Sequence, residues 1–200
     1  MTGLAMCLVI GVALVGTAYL AVYFTRRAKA DLATLLAPLA EHLDGDVDVE
    51  EASVTGKWNG TIAMARMAGA AGGTVRIWQV DLIDSAGGDA WNYVYSRPKP
   101  KKNQSEPVID IVTENPVIAG KLGAVGRSAI DAIQPDATDW VQVEYNPDGG
   151  YVRVARPMHG RNDIPGVERF DQDLRFLQEI GDENRAMQQR LAATDGASAS

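Results

Sequence analysis

Apolar side chains run from Gly3 to Phe24 without a single charge, and Arg26, Arg27 and Lys29 follow at once. As a helix this run measures about 33 Å, against a hydrocarbon core of roughly 30 Å. Ten of its residues are Leu, Ile, Val or Phe. Together they favour insertion by about 3 to 6 kcal/mol. Tyr19, Tyr23 and Phe24 crowd the end nearest the arginines, where ring side chains suit a headgroup interface. The pattern predicts one transmembrane anchor over residues 1–25, touching the bilayer through residues 3–24. A cleaved signal peptide fits less well. No cation precedes the apolar core, the core is too long, and the Ala28-Lys29-Ala30 site lies beyond three cations.

The pattern then changes period. Leu32, Leu35, Leu36, Leu39 and Leu43 recur at helical spacing. A basic stop and juxtamembrane amphipathic helix is therefore expected over 26–45, kinked or interrupted at Pro38 and ended by Gly45. Beyond it, alternation predicts strands. The first is half-exposed around Val47, Val49 and Val54. Others are expected over Lys57–Ala68, Thr74–Asp84, Trp91–Arg97 and Val108–Thr113. A glycine-weakened helix is expected over Pro116–Ile133. Trp140–Tyr145 and Tyr151–Arg156 alternate around Asn146-Pro147-Asp148-Gly149-Gly150 and predict a hairpin. Val167, Phe170, Leu174, Leu177 and Gly181 form one stripe of a long C-terminal amphipathic helix from Gly166 to Ala193. The fold class expected is α+β: one N-terminal transmembrane helix, then a single domain over 46–193 with a mainly antiparallel sheet, and a disordered tail over 194–200.

Charge narrows the function. All 26 acidic residues lie at or after Asp31 and three of the 19 basic ones precede it, leaving a domain of net charge −10. Such a domain does not bind nucleic acid. Cations gathered on the C-terminal side of the apolar run place the N-terminus outside and the domain in the cytoplasm of a single-pass cell-membrane protein. The lone Cys7 excludes an intramolecular disulfide and a cysteine zinc site.

Catalytic and cofactor motifs are absent. Asp44, Asp46 and Asp48 alternate as a calcium loop begins, but Val49 and Thr55 stand where that loop needs glycine and glutamate. The glycines at 69, 72 and 73, and Gly123 and Gly126, lack the lysine of a phosphate loop. Two binding features stand out instead. Arg97, Lys99, Lys101 and Lys102, separated by prolines, form a dense basic loop suited to an acidic partner or anionic headgroups. Ala13, Thr17 and Ala21 recur every fourth residue and could let two anchors pack closely. The function expected is a non-catalytic accessory or protein-interaction subunit at the membrane, with a protein partner or a second copy. The C-terminal helix and the basic loop are its expected contact points. The alternative is a small-ligand sensor or enzyme with a pocket beside the sheet, using His159, Arg161 and Asp163.

Overall fold

The computed structural model describes residues 2–69, 76–84, 87–96, 108–122 and 140–198, with side chains described between 14 and 193. Its first element is one helix, α1 (Thr2–His42), about 60 Å long. The sequence suggested two helices here. Instead the apolar run and the leucine-rich segment share one axis, and Pro38 does not interrupt it. A proline removes one hydrogen bond, and burial of the surrounding leucines outweighs that loss. Asp44 adopts a left-handed φ of 48°, and the Gly45 N–H donates to the Ala40 carbonyl at 2.9 Å, closing the helix.

Among the described residues, no helix is long and apolar enough to cross a membrane. The expected span over 3–24 reaches into residues whose side chains lie outside that description.

Eight strands follow: β1 (Asp46–Asp48), β2 (Ser53–Trp58), β3 (Thr61–Gly69), β4 (Arg76–Ile83), β5 (Trp91–Ser96), β6 (Val108–Thr113), β7 (Trp140–Asn146) and β8 (Tyr151–Met158). They form one antiparallel sheet in the order β1-β2-β3-β4-β8-β7-β5-β6. The single strand expected over Lys57–Ala68 is a correction: it is broken into β2 and β3 by a tight turn at Asn59-Gly60. Both turn residues have positive φ, 49° and 82°. That conformation matches the twist of a hairpin, and Asn-Gly is the pair that adopts it most easily. The segment Val47–Val54 likewise divides, because Asp48 Oδ1 accepts the backbone N–H groups of Glu50 and Glu51 and bends the chain.

A helix over 116–122, α2, begins the stretch expected to be helical, and the rest of that stretch lies outside the described residues. A short 3-10 turn (Arg161–Asp163) leads to α3 (Val167–Ser198). The backbone of α3 is helical through most of the segment expected to be a tail from Thr194.

Among the described residues, α1, α2 and α3 pack on one face of the sheet. Leu32, Leu36 and Leu39 of α1, Leu43 just after it, Ile118 and Leu122 of α2, and Phe170, Leu174, Leu177, Ile180 and Met187 of α3 share one core with Trp78, Val80, Val143 and Val154. Trp58, Trp78 and Trp91 lie in it, and Trp140, half-buried, shares the other face of β7 with Gln142 and Glu144. Gly56 lets α1 reach the sheet: a Cβ there would strike the Leu43 backbone. The stripe expected as a docking face on α3 is thus filled by the protein's own sheet.

Candidate functional site

Side-chain clusters at the sheet–helix contact position the helices. Asp171, on the first turns of α3, accepts Trp58 Nε1 at 3.1 Å, pairs with His42 Nε2 at 3.0 Å and accepts Arg175 Nε at 2.7 Å. Burial alone would raise the Asp171 carboxyl. The hydrogen bonds from Arg175, Trp58 and His42 outweigh it and hold the group below the usual carboxylate range. The cluster therefore fastens the end of α1, the end of β2 and the start of α3 together. The sequence offered His42 and Trp58 without their shared partner, which lies more than a hundred residues away.

Deeper in, Arg156 of β8 donates to the enclosed carboxylate of Asp173. Burial pushes the Asp173 carboxyl up, against the pull of Arg156 and Arg169. Burial and the neighbouring Arg156 charge push Arg169 down. At the far end of α3, Asn184 Oδ1 accepts Trp91 Nε1 at 2.9 Å, and Gln188 Nε2 donates to the Asp89 carbonyl at 3.1 Å. Beside them Tyr145 donates to the Gly87 carbonyl at 3.0 Å, and burial together with the Asp84 charge raises its hydroxyl.

The three groups expected to line a pocket do other work. His159 is exposed. Asp163 Oδ2 accepts the N–H groups of His159 and Gly160, at 2.6 and 3.0 Å. Arg161 donates to the Ala28 carbonyl of α1 at 3.1 Å. Lys29, the next residue of α1, pairs with Glu50 of the β1–β2 turn. The loop after β8 and the β1–β2 turn therefore brace α1 just beyond its apolar run.

Of the residues expected to pack two anchors, Thr17 and Ala21 are exposed, and the Thr17 hydroxyl donates to the Leu14 carbonyl at 2.9 Å; the Ala13 side chain lies outside the described residues. Arg97, Lys99, Lys101 and Lys102 also lie outside them.

Two surfaces remain. The other face of the sheet, on which no helix packs among the described residues, carries a cross-strand row of Met64, Asp81, Arg153, Glu144, Asn92 and Val112. Arg153 binds Asp81 through two hydrogen bonds, at 2.6 and 2.8 Å, donates to Glu144 at 3.0 Å and lies over the Tyr151 ring at 4.3 Å. Burial opposes the guanidinium charge, but bonding to Asp81 wins and raises Arg153. The second surface is the sheet edge at β6. Val108, Asp110 and Val112 point to the side of the Arg153 row and are exposed. At the Thr113 end of β6 an open groove of about 630 Å³ is lined by Asp89, Asn92, Val112, Glu114, Glu144 and Asp148, among others. Such an arrangement offers carboxylate acceptors beside exposed strand backbone.

No family model and no curated protein matches the chain. Among solved structures, the crystal structure of the mycobacterial trehalose monomycolate transport factor A, TtfA, is similar in part. It is 16% identical, with a TM-score of 0.36, over 65% of this chain and 69% of that one.

Proposed function

We propose that this chain is a single-pass membrane-anchored accessory protein that presents a rigid, non-catalytic interaction domain at the bilayer face. The observation that carries the reading is the split character of α1. Its C-terminal leucines Leu32, Leu36 and Leu39 are core residues, with Leu36 fully buried. Toward its N-terminus, Leu14, Val15, Tyr19, Leu20, Val22, Tyr23 and Phe24 are all exposed. A helix that is apolar all round and uncovered by protein belongs in lipid rather than water. Arg26 and Arg27, exposed and unpaired among the described residues, stand where headgroup phosphates would be. The anchor would occupy residues 3–24, with the N-terminus outside and the domain in the cytoplasm.

Because one helix serves both anchor and core, the domain would not swing on a tether. The braces at Ala28 and Lys29 lie about 6 Å along the axis from Phe24. That distance holds the domain against the membrane surface.

Flotation of the full chain with lipid vesicles tests the anchor. The full chain should float, and a chain lacking residues 3–24 should not. Recovery of the detergent-free full chain in the soluble fraction would overturn the reading. Topology is tested in cells by an impermeant maleimide. On a Cys7→Ser background it should reach Thr2→Cys from outside, and it should reach Asn162→Cys only after the cells are opened. The partner is sought by co-purification from gently solubilised membranes, where a stoichiometric second subunit is expected.

A further inference from the structure

The two edges of the sheet are treated differently by the sequence. The β1 edge is short, Asp46-Val47-Asp48, and two of its three residues are charged. That is an edge guarded against pairing. The β6 edge is twice as long and reads Val108-Ile109-Asp110-Ile111-Val112-Thr113. Five of these six residues are β-branched, the class that favours an extended strand. The edge has no lysine, no proline and one charge, and among the described residues nothing pairs with its outer side. An open edge of this composition is a template for another strand.

The surroundings select the strand. Asp110 is exposed in the middle of the edge and unpaired among the described residues. Glu114 and Asp148 are likewise exposed and unpaired there, and both line the groove that continues from the end of β6. A segment laid along β6 would bring its outward side chains past Asp110 and then into this acidic groove. Opposite charges facing each other across a strand pair stabilise it, and like charges oppose it.

A second copy does not satisfy this geometry. Antiparallel pairing of β6 with itself relates the two chains by a two-fold axis normal to the sheet. Because α1 is layered on the sheet, that axis would turn the second anchor to point the opposite way. Two anchors so arranged could not enter one bilayer.

We infer that β6 is a strand-addition site, where an extended basic segment of a protein partner pairs as a ninth strand and sets its cations against Asp110 and the acidic groove. This rests on the interaction-subunit reading and gives it a surface and a partner chemistry.

The full chain in nanodiscs is titrated with a labelled short peptide alternating valine and lysine, and with its glutamate counterpart. The basic peptide should bind several-fold more tightly, weaken with salt, and slow amide exchange within residues 108–113. Asp110→Lys sits on the exposed side of the edge and leaves the core intact. It should remove that preference or reverse it. Equal binding of the two peptides, protection elsewhere without protection of β6, or a cross-link joining β6 of two copies would overturn the proposal. The anchor fails separately: a chain that does not float can still be titrated in solution, and a chain that floats but ignores both peptides refutes the edge alone.

Discussion

Arg156 on β8 donates to the carboxylate of Asp173 on α3, and that carboxylate has no solvent exposure. The pair is sealed between sheet and helix, so each charge depends on the other for stabilisation. Asp173→Ala leaves the guanidinium enclosed and unpaired. It should destabilise the protein by about 3 kcal/mol in urea unfolding. The double variant Arg156→Met with Asp173→Leu should recover most of that loss, because it removes both buried charges together.

Asp171 behaves in the opposite sense with pH. Its folded-state pKa lies below the ordinary value, so its contribution is complete above about pH 4 and is lost as pH falls through the folded pKa. Asp171→Asn should therefore lower stability at neutral pH and narrow its gap from the parent as acid is added. Chemical denaturation at several pH values measures this. A gap that stays constant down to low pH would contradict the assignment.

Two glycines near the start of the sheet should respond differently to alanine. Gly60 has φ of 82° and open space around its missing side chain. Gly60→Ala should cost about 1 kcal/mol, from backbone strain alone. Gly56 lies directly against the Leu43 and Gly45 backbone. Gly56→Ala should cost about 3 kcal/mol, since α1 must move away from β2. Thermal melts of the two variants give the comparison.

Adjacent leucines on α1 separate its core face from its outer face. Leu36 is fully buried and Leu35 is 40% exposed. Leu36→Ala should cost about 3 kcal/mol, and Leu35→Ala less than about 0.5 kcal/mol. Similar losses at both positions would mean that the helix is seated differently.

The elements most readable from the sequence were those with one strong period. Leu32, Leu36 and Leu39 of the leucine series, the stripe of α3 and the β7–β8 alternation each match a face that the structure buries, while Leu35 of the same series faces out. The Asn59-Gly60 turn escaped because apolar and polar residues alternate on both sides of it, so the pattern resembled one long strand. Arg156 is in phase with Val152 and Val154, so alternation places it on the core face; the carboxylate that accepts it there, Asp173, lies on another element and is not readable from the strand. The His42–Trp58–Asp171 cluster is legible only after three distant segments have been folded together. The β6 edge needed the strand order, because sequence proximity does not reveal which strand ends the sheet.

That strand order has a consequence for synthesis. The hairpin of β7 and β8 is translated last among the strands yet lies between β4 and β5. A nascent chain therefore reaches the ribosome exit with both inner borders uncovered, and they stay so until the final third of the polypeptide emerges. Truncation before Trp140 would leave β1–β4 and β5–β6 without the hairpin that joins them, so messages ending early should yield products sent to proteolysis rather than partly working fragments.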